Sequence, residues 1–279
     1  MKKYFKLFML MLLVFSYSYA GVMPETDWKV KKLNGKVKSM IKTEYEYDSS
    51  GKLEKTRLTE TYFNEQGYIT DEVQYVDNRL NQSIIYKNNS DGLPIKKDEV
   101  SRRYSYKYEE TKDGNLLVTI KEEYVDKKNF PSLEKITYNK NGKKVHHLVY
   151  SGEELITNDT YIYNKKGNLI EIKDNTFPEN SIKITYNYKA NGDYEKITDV
   201  ATAKWTYLYD KNGNEKEYIS MIKQGSQGKP KISIYLKFKD ITRDEYGNLT
   251  RNTSVRYDYS KKKESSIYKK LENKYEYYK

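Results

Sequence analysis

The sequence predicts an all-β chain: an antiparallel meander of tandem β-hairpin repeats forming an elongated, twisted or curled sheet. Three observations predict it. Apolar and polar residues alternate with a period of two; a turn signal recurs along the chain; and its copies stand about 25 residues apart. The glycines from Gly114 to Gly213 are separated by 28, 25, 25 and 21 residues.

The strands come first. Ile41, Thr43, Tyr45 and Tyr47 alternate with Lys42, Glu44 and Glu46. Tyr104, Tyr106 and Tyr108 alternate with Arg103, Ser105 and Lys107, and Ile232, Ile234, Leu236 and Phe238 with Ser233, Tyr235 and Lys237. Such alternation gives a strand one apolar and one polar face. The turns follow. YEYDSSGKL (45–53), TYFNEQGYI (61–69), YKYEETKDGNL (106–116), ITYNKNGKKV (136–145), YIYNKKGNL (161–169), YNYKANGDY (186–194), YLYDKNGNE (207–215) and DEYGNL (244–249) share one plan, and KNNSDGL (87–93) is a degenerate copy. Asp or Asn bonds its own backbone there, and glycine supplies a positive φ. Nine such units joined by short loops pair antiparallel with their sequence neighbours. Lys223–Pro230 and Phe177–Asn180 read as elongated hairpin loops. The tail Ser265–Lys279 fits a helix through Ile267, Leu271, Tyr275 and Tyr278, or a strand through Leu271, Tyr275 and Tyr277; a closing strand is preferred.

The ends and the composition set the compartment. A basic start, the apolar run Leu7–Phe15, and Ser18-Tyr19-Ala20 before Gly21 have the order of a cleavable secretory signal. The run is shorter than the roughly 20 residues of a membrane span. The expected division is therefore a signal over 1–20 and a single repeat domain over 21–279, secreted or periplasmic, with no transmembrane segment in the mature chain. Cysteine is absent from the 279 residues, which excludes disulfides, thiolate catalysis and a lipid-bearing cysteine. Losing Lys2, Lys3 and Lys6 lowers the formal charge from +11 to about +8. Leu, Ile, Val and Phe make up only about a fifth of the chain, near the composition of disordered proteins. The 31 tyrosines must then supply the core, with hydroxyls that want partners.

The recurring Tyr-x-Tyr-Asp/Asn-x-x-Gly-Asn/Lys-Leu resembles the YD repeats of the RHS family of bacterial cell-surface and toxin-associated proteins. YEYDSSGKL, YIYNKKGNL and YLYDKNGNE carry it best. Glu44, Thr160, Thr185 and Thr206 stand where that family commonly has arginine. The resemblance implies hairpin architecture, and an accessory role in a contact-dependent toxin system is the alternative function it brings. A weaker resemblance to MORN-type repeats implies the same elongated sheet.

Sites of chemistry are few. Asp210-Lys-Asn212-Gly-Asn214 starts like a calcium loop, but Glu215 and Met221 occupy the positions that need glycine and glutamate. No cofactor and no metal are expected. His146 and His147, the only histidines, point to opposite faces of a strand and are expected at the surface. Glu122-Glu123 and Glu153-Glu154 stand among many charges, so a carboxylate-dependent glycoside hydrolase is the less favoured alternative. The chain is read as a non-enzymatic protein of the bacterial cell envelope or surface. It is expected to bind a glycan or an envelope protein through tyrosines, with no specific nucleic acid partner. Tyr186, Tyr188, Tyr207 and Tyr209 are the chosen binding residues, an aromatic ladder in register.

Overall fold

The computed structural model describes residues 22–125, 132–223, 231–258 and 261–279. The predicted signal over 1–20 and most of the loop Lys223–Pro230 lie outside the described residues.

Among the described residues, eighteen strands follow one short helix, α1 (Asp27–Val30). They are β1 (Val37–Tyr47), β2 (Leu53–Phe63), β3 (Ile69–Val76), β4 (Arg79–Asn88), β5 (Pro94–Asp98) and β6 (Arg102–Glu110). Next come β7 (Leu116–Tyr124), β8 (Ser132–Tyr138), β9 (Lys144–Ser151), β10 (Glu154–Tyr163), β11 (Leu169–Asp174) and β12 (Ile182–Tyr188). The last six are β13 (Tyr194–Asp199), β14 (Ala203–Tyr209), β15 (Glu215–Ile222), β16 (Lys231–Arg243), β17 (Leu249–Asp258) and β18 (Lys263–Tyr277). Each pairs antiparallel with its sequence neighbours in one sheet. A 3-10 turn, Pro178–Asn180, sits in the β11–β12 connection.

The predicted meander is present, but the sheet is not open. β18 returns to β1, in register from Val37↔Tyr277 to Glu46↔Lys269, so the chain closes into an 18-stranded barrel. The tail is the closing strand and not a helix. Closure removes both free edges, which an open sheet of this length would expose to aggregation.

One local device repeats at the turns. In the β10–β11 hairpin the Asn164 amide donates to Asn168 O at 2.9 Å, and Asn164 Oδ1 accepts from the Lys166 and Asn168 amides at 3.0 Å each. Asn64, Asn89, Asn139, Asp210 and Asp244 accept in the same pattern. A register shift beside several of these turns, as between Ile162 and Tyr163, marks a bulge that bends the strand. Direction alternates from strand to strand, so eight of the nine glycine turns read from the sequence share one rim, and the turn at Gly51 lies at the other.

Pairing also settles which face is inside, because directly opposed residues share a face. Tyr104, Tyr106 and Tyr108 oppose Glu122, Ile120 and Val118, and the series passes through Ile136, His147 and Asp159 to Tyr161. It continues through Ile172, Ile182, Ile184 and Tyr186 to Lys196 and Tyr207, and on round the ring. Arg103, Lys107, Lys121, Lys135, Lys183 and Glu195 take the other face. A lipid-facing barrel instead turns an apolar band roughly 25 Å tall outward. Here those charges interrupt the outer face among Leu58, Tyr75, Leu133 and Tyr150, and the inside mixes phenols with charges such as Lys42, Glu44 and Lys196.

The described N-terminal residues run across the glycine rim as a strap. The Trp28 amide donates to Gly67 O at 3.1 Å, and its indole donates to Val37 O at 2.8 Å. Asp27 Oδ2 accepts from the Ile69 amide at 2.7 Å, and Tyr68 donates to Pro24 O at 3.1 Å. Further along, Asn34 and Asn248 exchange two hydrogen bonds at 2.7 and 2.8 Å. Both buried clusters lie beneath the strap. Trp28 and Leu33 cover Val37, Met40 and Phe63; Val22 packs on Leu116, Val118 and Ile136.

Glu44 knits the closing junction. Its carboxylate meets Lys269 of β18 at 2.6 Å, Lys42 of β1 at 3.0 Å and Arg57 of β2 at 3.7 Å. Burial alone would raise its pKa, but Lys269 and Lys42 outweigh it and hold the carboxyl below its ordinary 4.5. A depressed carboxyl adds stability above the unfolded value, and this is lost as pH falls through the folded one. Acid unfolding should therefore set in below pH 4.5, and Glu44→Gln should cost about 1–3 kcal/mol at neutral pH while flattening that acid limb, as read by denaturant midpoints across pH. A second outcome separates strap from turn. Gly51 (φ +85°) has open space where a Cβ would stand, whereas at Gly67 (φ +89°) a Cβ would lie 2.6 Å from the Trp28 ring. Gly51→Ala should carry only the backbone penalty of about 1–2 kcal/mol. Gly67→Ala should cost more and change Trp28 fluorescence.

Candidate functional site

The inner wall between β12 and β15 holds a run of tyrosines that the strand period delivers to one face. Tyr188 opposes Tyr194, Tyr194 opposes Tyr209, and Tyr207 opposes Tyr218. Tyr194 and Tyr209 stack, with ring centroids 4.7 Å apart and planes 12° from parallel. Tyr188 stands 5.7 Å from Tyr194, and Tyr207 stands 6.3 Å from Tyr209 and 4.9 Å from Tyr218. Offset and tilted ring pairs at these separations are mutually stabilising. Lys196 Nζ lies 5.9 Å from the Tyr207 ring centre and Lys166 Nζ 4.7 Å from that of Tyr188, both within cation–π reach.

The ladder runs into a cavity of about 480 Å3 under the strap. Lys31, Lys32 and Leu33 line it from the strap; Met40, Lys42, Tyr209, Glu215, Arg243, Asn252, Asn273 and Tyr275 line it from the wall. Tyr209 is buried, and its hydroxyl reaches Glu215 Oε1 at 3.4 Å. Burial, then the neighbouring Glu215, raises the pKa of the Tyr209 phenol. Burial likewise raises that of Glu215 and lowers that of Lys196. Arg243 is fixed by Asn214 Oδ1, 2.7 Å from its Nε. The cavity thus joins one carboxylate and several cations to flat phenol faces.

The four tyrosines chosen from the sequence all face the lumen, but they do not oppose one another. β13 lies between their strands, so Tyr186 opposes Lys196 and Tyr194 carries the stacking across. Tyr194 and Tyr218 were missed. The signal for Tyr194 was available: the residue two after the turn glycine opposes the last residue of the preceding strand, as Tyr194 opposes Tyr188. The cavity cations were not legible, because Lys31, Lys32 and Arg243 are joined only by the strap and the closure.

The histidines do point to opposite faces, but only one is at the outer surface. His146 Nε2 lies 2.9 Å from Asn158 Oδ1. His147 faces inward, 2.7 Å from Glu134 Oε1 and 4.0 Å from Asp159 Oδ2, and its side chain is 16% exposed. A lumen replaces the outer surface as its environment because the sheet closes. His147 holds the Glu134 carboxyl below its ordinary value against the effect of burial. Asp210 spends Oδ1 on the Asn212 and Asn214 amides, as a hairpin turn requires.

No protein-family model matches the chain, and no curated protein matches it. Among solved structures it is similar to a porin-like protein from Bacteroides uniformis ATCC 8492, at 12% identity and TM-score 0.48, covering 86% of this chain and 96% of that one. It also matches chains of the Photorhabdus luminescens Tc holotoxin pore (11% identity) and of the TcdB2-TccC3 crystal structure (12% identity), each at TM-score 0.29. Each of those matches covers 80% of this chain and 16% of the other. Likenesses this distant carry no argument about function.

Burial has a measurable consequence at high pH. It pushes Tyr68, Tyr138, Tyr161 and Tyr275 from the ordinary 10.0 up to about 12. A phenol raised in the folded state adds stability that is complete below the unfolded value and is lost as pH rises through the folded one. Ultraviolet titration should show a late-ionising class of tyrosines near pH 12, and denaturant midpoints should fall from pH 10 upward.

Proposed function

We propose that the chain is an exported, non-enzymatic barrel of the bacterial envelope or surface that binds a glycan inside its tyrosine-lined lumen. One observation carries this reading: the stacked run Tyr188–Tyr194–Tyr209–Tyr207–Tyr218 leads into a cavity rich in amide and cationic side chains. A sugar ring offers an apolar C–H face to a phenol and hydroxyls at its rim to Asn, Lys and Arg. Lys31, Lys32, Lys42 and Arg243 outnumber Glu215 around the cavity, which favours a glycan bearing carboxylates. A 16- to 18-stranded barrel encloses an aqueous channel, and lumen-facing Tyr188 is 55% exposed, so the ladder is open to a ligand in water.

Binding without turnover fits the state of the inner carboxylates. Glu44 is held by Lys42 and Lys269, Glu134 by His147, and Glu122 by Arg102 at 3.2 Å and Ser132 at 2.5 Å. Each of these three carboxylates is engaged by neighbours and not set as a facing acid–base pair.

A screen of acidic and neutral oligosaccharides at two salt concentrations tests the reading, followed by calorimetry on any hit. Tyr188→Ala and Tyr194→Ala should each weaken binding about tenfold, the scale of losing one stacked ring. Tyr150→Ala, on the outer face, should leave it unchanged, and the recovered glycan should keep its mass. A hit abolished by high salt would mark charge adsorption, and its indifference to both lumen substitutions would overturn the assignment.

A further inference from the structure

The barrel wall is split at one junction. Between β11 and β12 only Glu171↔Lys183 and Ile172↔Ile182 pair. On its other side β12 is laddered to β13 from Lys183↔Asp199 to Tyr188↔Tyr194. Toward the glycine rim, Ile184–Tyr188 therefore presents one edge with no strand beside it. A cavity of about 650 Å3 opens there, and its lining includes the consecutive residues Lys183, Ile184, Thr185 and Tyr186. Successive side chains of a strand point to opposite faces, so one cavity can touch all four only by lying within the wall, against the strand's edge. Side chains bridge the gap where backbone does not. Asn168 Nδ2 donates to the Tyr188 hydroxyl at 3.2 Å, and Lys166 Nζ sits over the Tyr188 ring.

We propose that this split is a strand-addition site for an extended peptide segment of a partner protein, one whose residues alternate between apolar and acidic. The free edge of β12 supplies main-chain donors and acceptors for an antiparallel partner, the usual source of affinity in strand addition. The two faces of the split supply specificity. Ile170, Ile184 and Tyr186 line its lumen side, whereas Lys165, Lys166 and Lys183 outnumber Glu171 in the rest of the lining. A pleated peptide sends alternate side chains to these two environments, apolar inward and acidic outward. β12 is antiparallel to β11, so a strand placed between them is antiparallel to only one. The proposed ladder is the one with β12, over about the length of Ile184–Tyr188.

Calorimetry on the full chain with a synthetic decapeptide of alternating valine and glutamate tests this. Saturable one-to-one binding is expected, with no binding of the valine–lysine counterpart. A copy of the decapeptide N-methylated along the edge that faces β12 keeps its side chains but loses the ladder, and should bind at least tenfold more weakly. Lys183→Glu, outward and solvent-facing, should also weaken binding about tenfold. Lys165→Glu, in the adjoining turn, should act in the same direction, with the circular dichroism melt of both variants unchanged. Equal binding of the N-methylated or the valine–lysine peptide would overturn the proposal. So would a concentration-dependent dimer of the chain that Lys183→Glu dissolves while the decapeptide fails to bind. Tyr194→Ala, the lumen substitution that weakens glycan binding, should leave decapeptide affinity intact, so the two readings fail separately.

Discussion

The structure depends on a short-range constraint: an Asx side chain that captures two amides of its own turn. At Asn64, Asn139 and Asn164 the same oxygen accepts from the residues two and four ahead. In these hairpins register is set locally by this capture and by the neighbouring bulge. A one-residue slip would turn every side chain of a strand to the wrong face. With register fixed, each strand keeps one set of side chains inward, so that Tyr104, Tyr106, Tyr161, Tyr186 and Tyr207 reach the lumen while Lys107, Lys121 and Lys135 stay outside.

Closure and the strap then act together. The ring gives its strands partners, but a lumen this wide leaves many inward residues half-exposed, and the fully buried apolar residues are few. Val22, Trp28 and Leu33 convert part of the wall into two conventional clusters. Tyrosine suits the remainder, because a phenol can pack with its face and still hydrogen-bond through its rim. Tyr108 donates to Pro94 O and Tyr163 to Lys144 O, both at 2.7 Å.

How much of this was legible depended on range. Strands, turns and alternating faces follow from the period of two and from the Asx–Gly spacing, even in the degenerate copy, where Asn89 makes the same captures. Closure was not legible, because Glu44 and Lys269 are distant in sequence and resemble any other charges on a strand. The aromatic site was half visible. Tyr188 and Tyr209 stand in the repeat motif, but the contact between them runs through Tyr194, whose position two after a glycine is more often Leu or Ile. The lumenal setting of His147 was invisible while inside and outside remained undefined.

The two rims are unlike one another. On the strap side, the connections reproduce nearly one length and one shape, and Gly67, Gly142 and Asn248 touch the strap directly. On the far side, the fully described connections run from the two residues Asp77–Asn78 to the stretch 175–181 that holds a 3-10 turn. A hairpin added through that far margin widens the circumference by two staves and places its own turn on the strap side. The diameter of such a vessel therefore follows the number of staves, two for each segment of about 25 residues.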